Sequence, residues 1–113
     1  MKVRIAVELS DKDMDDILTT AVEGGIGYWS RIENPRGLDF EHLWSNFKPI
    51  RLAECDDYGS VEHTLTREKI EKGLKLLGEK YPKRLAELTR GEYDVEAPDM
   101  LFQLALFGEV RYG

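Results

Sequence analysis

The sequence predicts an α+β domain in which a small mixed or antiparallel sheet packs on three main helices. The first residues alternate between apolar and polar side chains, which is typical of a half-buried strand. Two later stretches repeat apolar residues at helical spacing, and a third, near the end, is apolar on nearly every side. A length of 113 residues suits one hydrophobic core, so we assign residues 1–113 to a single domain.

The first strand is predicted over residues 2–9, where every second side chain is apolar. Ser10 then offers a hydroxyl cap for a helix, and the acidic residues after it favour the positive end of the helix dipole. We expect Gly24 or Gly25 to end this helix. Its buried face is predicted from residues at i, i+3, i+4, i+7 and i+8: Met14, Ile17, Leu18, Ala21 and Val22.

The middle of the chain has no clear period over residues 31–48. Residues 34–37 indicate a turn, because they combine asparagine, proline and glycine. Four apolar residues after this turn are spaced like one short helical face: Phe40, Leu43, Trp44 and Phe47. Residues 49–56 and 60–66 then predict the two strands of a β-hairpin around residues 57–59.

Two further helices are predicted in the second half. Thr66 can cap a helix whose apolar stripe consists of Ile70, Leu74, Leu77 and Tyr81. Pro82 interrupts this helix, and a short turn or helix through Leu85 and Leu88 is expected to end at Gly91. Pro98 fits the first turn of the last helix, which is apolar over residues 100–107 except at Gln103 and ends at Gly108.

We expect the last helix to lie at the centre of the fold, packed against the first helix. The predicted core therefore contains Leu101, Leu104, Ala105, Ile17, Leu18 and Ala21.

Composition excludes several classes of function. A net charge of −6 disfavours direct binding to DNA, RNA or an anionic membrane, since each needs a cationic surface. The lone Cys55 cannot form an intramolecular disulfide, and the start lacks the apolar run of a signal peptide. No apolar run is long enough to span a bilayer. We therefore expect a cytoplasmic protein.

No stretch predicts catalysis, a metal or a cofactor. Residues 11–15 resemble the opening of a calcium loop, but Asp16 and Val22 stand where that loop needs glycine and glutamate. Residues 25–30 match a dinucleotide fingerprint only partly, and they follow a helix instead of a strand. Cys55, His42 and His63 have no zinc spacing, and the carboxylates beside Cys55 would raise the pKa of a nucleophilic thiol. We expect a non-enzymatic protein.

A glycine-rich stretch beside two aromatic residues is the predicted site. Glycines admit close backbone approach, an aromatic ring can stack on a base, and arginine can pair with a phosphate. The alternative is that the aromatic residues belong to the core and the arginines to the surface. The predicted ligand-binding residues are Gly24, Gly25, Gly27, Tyr28, Trp29, Arg31 and Arg36.

Charge is divided along the chain, which suggests a second kind of site. Residues 8–24 contain six acidic residues and one basic residue, a balance of −5, whereas residues 67–90 contain eight basic and four acidic residues, a balance of +4. Solvated helix faces explain such runs equally. As an alternative, a face of the first helix would bind a cationic surface of a host protein through Asp11, Asp13, Asp15 and Asp16.

The two ends of the chain resemble a family of small uncharacterised proteins encoded by bacteriophages and prophages. The resemblance rests on the Ala-Val-Glu-Gly-Gly-Ile-Gly-Tyr-Trp stretch at residues 21–29 and on the ending over residues 99–113. It implies a phage accessory protein that counteracts bacterial immunity, either by sequestering a nucleotide-derived signal or by binding an effector protein. A structural or accessory role without any part in defence is the third alternative. A ligand held between two subunits would make the molecule a homo-oligomer.

Overall fold

A computed structural model describes residues 8–56 and 59–113 of the chain. It contains a three-stranded antiparallel sheet and four α-helices, which confirms the predicted α+β class. The predicted strand over residues 2–9 lies mainly outside the described residues, and Glu8 and Leu9 are not in a strand.

The helices and strands follow one another in a simple order. The helices are α1 (Asp11–Thr20), α2 (Arg67–Lys80), α3 (Pro82–Arg90) and α4 (Glu96–Phe107). The strands are β1 (Ser30–Ile32), β2 (Ile50–Asp56) and β3 (Gly59–Leu65), in the sheet order β1, β2, β3. The stretch around Leu85 and Leu88, predicted as a turn or helix, is thus a fourth helix of nine residues.

The first helix begins as predicted but ends differently. Ser10 accepts a hydrogen bond from the backbone of Asp13, and the Asp13 carboxylate accepts one from the Ser10 backbone, which completes a capping box. The chain then continues into a π-helical turn, Ala21–Gly25, instead of stopping at a glycine. Neither Gly24 nor Gly25 has a positive φ, so the expected left-handed end does not form.

The other helix ends follow the sequence signals. Thr66 caps α2 by accepting a hydrogen bond from the Lys69 backbone N–H. Gly91 and Gly108, with φ of 68° and 73°, take the left-handed conformation that ends α3 and α4.

The sheet differs from the prediction in its first member. β1 was not predicted, because three residues are too few to show a period. It exists because it pairs with β2, where Arg31 faces Ala53 and Ile32 faces Leu52. β2 and β3 form the predicted hairpin, with Leu52 opposite His63. The short helical face predicted over residues 40–47 is instead a series of turns.

The core lies between the sheet and the helices, with α4 at its centre. All six predicted core residues are buried, which confirms that part of the prediction. Gln103, expected as the polar exception on α4, is fully buried as well. None of the helices in the described ranges is long and apolar enough to cross a membrane.

Candidate functional site

The predicted glycine-rich stretch lies beside the start of α4. Gly25 is buried, and a Cβ atom there would come within 3.1 Å of the Val95 carbonyl oxygen, so this position needs glycine for close approach. Gly24 and Gly27 are exposed, and no such crowding applies to them. One of the three predicted glycines is therefore structural, and two face solvent.

A buried carboxylate fixes the two aromatic residues that follow. Asp99 of α4 accepts hydrogen bonds from the indole Nε1 of Trp29, at 2.7 Å, and from the Tyr28 hydroxyl. Gln103 donates a third bond to Asp99 from its Nε2, at 3.0 Å. Burial, followed by the hydrogen bond to Asp99 and the charge of Asp99, raises the pKa of Tyr28 to about 12.

The structure places Trp29 in the core. Its side chain is 1% exposed and stacks on Tyr112, with ring centroids 5.4 Å apart and planes 3° from parallel. A buried ring cannot stack on a ligand base, so we remove Trp29 from the ligand-binding set. Tyr28, by contrast, is 58% exposed although its hydroxyl is bonded.

The end of the chain is held against the sheet by a second polar cluster. Gln103 Oε1 accepts hydrogen bonds from the backbones of Arg111 and Tyr112, at 2.7 and 2.8 Å. Glu54 of β2 accepts bonds of 2.6 Å from the Tyr112 hydroxyl and from His63 Nε2. Burial by itself would raise the pKa of Glu54, but the bonds from Tyr112 and His63 and the charges of His63 and Arg111 together lower it. We interpret this cluster as an anchor for the end of the chain.

The outer face of the sheet, turned away from the helices, carries a concavity of about 460 Å³. Its strands place two rows of exposed side chains there. Arg31, Ala53 and Glu62 face one another across the sheet in one row. In the next row Arg51 faces Thr64, and the Glu33 backbone N–H donates to the Arg51 carbonyl oxygen at 2.9 Å.

The arginines of this face are diagonal neighbours around the small side chain of Ala53. Arg31 and Arg51 are exposed, and within the described residues neither guanidinium forms an ion pair or a hydrogen bond. Glu33 and Glu62 lie on the same face and line the same concavity. The face therefore offers two guanidinium groups that can bind an anion. The carboxylates beside them can accept hydrogen bonds from donor groups of the same ligand.

Of the residues on this face, the predicted ligand-binding set contains Arg31. Arg36, also in that set, lies in a 3₁₀ turn, Pro35–Gly37, and does not line the concavity. Arg51 and Glu62 are outside the predicted set. Arg51 lies between the buried Ile50 and Leu52, whereas Glu62 follows the exposed Val61. Only the register shows that Arg31 and Arg51 are neighbours.

The acidic residues of α1 separate into two kinds. Asp11, Asp13 and Asp16 are exposed, as the alternative site requires. Asp15 is buried and accepts hydrogen bonds from the backbone N–H groups of Trp44 and Ser45, at 2.7 and 2.8 Å, and from the Ser45 hydroxyl. Its carboxylate is occupied inside the fold, so we remove Asp15 from the protein-binding set.

The groups considered for catalysis or metal binding do not come together. His42 pairs with Asp39, His63 pairs with Glu54, and the Cys55 thiol donates to the Ala53 carbonyl oxygen at 3.8 Å. In the part of the chain that the structure describes, no group of three or more histidine, cysteine or acidic residues is arranged to hold a metal ion.

Comparisons with family models, with curated proteins and with solved structures found no match to this chain.

Proposed function

We propose that this chain is a non-catalytic binding protein that captures a small anionic ligand, of the nucleotide class, on the outer face of its sheet. The observation that carries the proposal is the pair of guanidinium groups of Arg31 and Arg51, which have no ion-pair or hydrogen-bond partner within residues 8–56 and 59–113, in a concavity of about 460 Å³. That volume lies within the range of small-molecule sites, about 300–1,000 Å³. Arginine is also the residue that pairs with a phosphate through two parallel hydrogen bonds.

The carboxylates on the same face favour a ligand that is more than a bare phosphate. Glu33 and Glu62 accept hydrogen bonds but donate none, so they would pair with ribose hydroxyls or with the amino group of a base. Ala53 leaves a flat, small surface between the charged groups on which a ring can lie. A nucleotide combines all three features: an anion, hydrogen-bond donors and a planar ring.

The resemblance to phage-encoded proteins suggests a role for such capture. Sequestering a nucleotide-derived signal in the cytosol of the host cell would counteract bacterial immunity without any chemical reaction. A second copy of the chain facing the same surface would enclose the ligand and make the molecule a homo-oligomer.

Calorimetry against inorganic phosphate, mononucleotides, cyclic oligonucleotides and ADP-ribose derivatives tests the proposal. We expect at least one nucleotide to bind the wild-type chain, and Arg31→Gln with Arg51→Gln to weaken its affinity by about 100-fold or more. Arg36→Gln is the matched control, because Arg36 is exposed and lies outside the concavity. Unchanged circular dichroism shows that the fold persists in the double variant.

Two results would overturn the proposal. One is the absence of binding to every member of the panel, and the other is binding that survives the double arginine substitution. Chromatography of the recovered ligand tests the non-catalytic part, since a converted ligand would contradict it. Native mass spectrometry of the same samples counts the chains per complex and thereby tests the homo-oligomer.

A further inference from the structure

A second exposed surface lies at the start of α4 and is independent of the sheet face. We call it the glycine–tyrosine patch, and it consists of Gly24, Gly27, Tyr28 and Val95. Tyr28 and Val95 are 58% and 41% exposed, and they are two of the four large hydrophobic side chains that are exposed in the described part of the chain. A Cβ atom on Gly24 would lie 3.5 Å from Val95, which places the two residues in contact distance.

The fold does not require a glycine at position 27. Its φ is not positive, and a Cβ atom there would meet nothing within 4 Å. Glycine nevertheless costs about 0.5–1 kcal/mol relative to alanine, through the greater freedom of the unfolded chain. Gly24 is similar, since its Cβ atom would make only an ordinary contact. The missing side chains are explained if another molecule lies close against the backbone here.

Tyr28 has the properties of an anchor for a partner. Its ring is exposed, while its hydroxyl is bonded to Asp99 and lies 3.4 Å from Gln103 Nε2. An aromatic ring that is already fixed loses little conformational freedom on binding. Tyrosine is also one of the residues that contribute most to protein–protein affinity.

Acidic residues surround this patch. Glu23 precedes Gly24, and Asp94 and Glu96 flank Val95 on either side. All three are exposed, and among the residues that the structure describes only Glu96 of these three forms an ion pair, with Arg84 at 2.9 Å. Two copies of the patch facing each other would bring these carboxylates together, so electrostatics disfavour a second copy of this chain as the occupant.

We propose that the glycine–tyrosine patch is a docking surface for a basic segment of another protein, which sets an apolar residue against Tyr28 and lysine or arginine residues against Glu23 and Asp94. Charge complementarity selects this partner, and the exposed backbone at Gly24 and Gly27 lets it approach closely. The surface requires neither Arg31 nor Arg51, so it does not depend on nucleotide capture.

Selection from a library of random displayed peptides tests the docking surface. We expect the selected peptides to combine lysine or arginine with an aromatic or aliphatic residue, and to bind more weakly as salt concentration rises. Gly27→Leu should weaken their affinity by at least about tenfold, because the new side chain fills the contact. Glu23→Lys with Asp94→Lys should weaken it similarly by reversing the charge. Glu41→Leu, also at an exposed position, is the control and should bind as the wild type does.

The melting temperature of Gly27→Leu should equal or slightly exceed that of the wild type, since open space surrounds the position and the unfolded chain loses the freedom of glycine. Peptides that bind Gly27→Leu as tightly as the wild type, or that carry no basic residues, would overturn the proposal. Failure to select any peptide would also overturn it. Binding that persists in Arg31→Gln with Arg51→Gln would separate this surface from the sheet face.

Discussion

At the scale of single residues, the polar groups that organise this molecule are buried acids whose role no sequence pattern indicates. Asp99 follows Pro98 in what reads as an ordinary acidic first turn of a helix, yet it binds an indole, a phenol and an amide. Asp15 lies among exposed aspartates in α1 but turns inward to the loop at residues 44–45. Composition cannot separate such residues from their solvated neighbours, because only the tertiary contacts differ.

Replacing Asp99 by alanine tests how much the buried network contributes. The change leaves the buried Trp29 indole without its acceptor and removes one of the acceptors of the Gln103 amide, which keeps the Tyr112 carbonyl oxygen. We therefore expect a loss of about 2–4 kcal/mol in the free energy of unfolding. Guanidinium denaturation followed by tryptophan fluorescence measures the loss. Glu92→Ala, at a residue whose side chain is 69% exposed, is the control and should change the free energy by less than about 1 kcal/mol. Equal stabilities for the two variants would contradict this account.

Asp15 gives a prediction for the pH dependence of stability. Burial by itself would raise its pKa, but the hydrogen bonds from Ser45 and Trp44 outweigh burial and lower the pKa below 3.8. A carboxylate whose pKa is lowered by folding stabilises the native state above its unfolded pKa, and this contribution is lost as the pH falls through the folded pKa. We therefore expect Asp15→Asn to reduce stability at pH 7 by about 1–3 kcal/mol and to flatten the decline below about pH 4.

Denaturation curves between neutral and acidic pH measure this effect. Asp16→Asn is the matched control, because Asp16 is exposed and forms an ion pair with Lys12 on the helix surface. The control should follow the wild-type curve closely. If the free energy of unfolding of Asp15→Asn declines with falling pH as steeply as that of the wild type, this carboxylate does not set the pH dependence of stability.

At the scale of elements, the helices could be predicted and the short irregular pieces could not. Helices α1 and α2 carry a side-chain N-cap and a repeated apolar face, and α4 is a continuous apolar stretch that ends at Gly108, so local information suffices. β1 and the turns over residues 39–47 have no comparable local signal. They are fixed by pairing with β2, by Asp15 and by Arg67, which are contacts between distant parts of the chain.

The crossing of α2 and α4 depends on a single glycine. A Cβ atom on Gly73 would lie 3.0 Å from the backbone of Ala105, so the helices could not approach as closely with any side chain there. The energetic gain of alanine in a helix is at most about 1 kcal/mol. We expect Gly73→Ala to destabilise the protein by about 1–3 kcal/mol, because overpacking against a backbone outweighs this gain.

Gly78, in the same helix, provides the comparison for Gly73. A Cβ atom there would come within 2.8 Å of a terminal methyl group of Leu85, a side chain that can rotate away. Gly78→Ala should therefore leave the free energy of unfolding unchanged or raise it by up to about 1 kcal/mol. Thermal and denaturant unfolding of both variants measures the contrast. The same change in both would show that the α2–α4 contact is not limited by Gly73.

At the scale of the whole molecule, the candidate sites were predictable only in part, because sequence proximity and spatial proximity differ. The predicted ligand-binding residues were grouped because they are close together in the sequence: the glycines, Tyr28, Trp29 and two arginines. In the structure, the glycines and Tyr28 lie beside α4, Trp29 enters the core, and Arg31 turns to the sheet face beside Arg51. Residue types alone do not show which groups share a surface, because strand register and helix contacts decide that.

The loop over residues 33–49 also depends on the whole molecule, because two distant elements hold it at Trp44. Asp15 of α1 accepts from the Trp44 backbone N–H, and Arg67 of α2 donates to the Trp44 carbonyl oxygen. The Arg67 guanidinium also lies over the Trp44 ring, 4.2 Å from its centroid. The loop has a short 3₁₀ turn and a series of turns but no helix or strand of its own, and these two contacts attach it to α1 and α2.

A double-mutant cycle of Asp15→Asn and Arg67→Met tests whether the two contacts act as one anchor. Each substitution removes a contact that holds Trp44. The second substitution should therefore lower the free energy of unfolding by less once the first has released the loop. We expect the double variant to lose less stability than the sum of the single losses, by about 0.5–1.5 kcal/mol. Hydrogen exchange of the amides at residues 42–48 should accelerate in each single variant, while α4 remains protected. Asp15→Asn combined with Gly78→Ala is the control cycle and should be additive, since the two positions share no partner in the described structure. Additive losses in the Asp15 and Arg67 cycle would instead mean that α1 and α2 hold the loop independently.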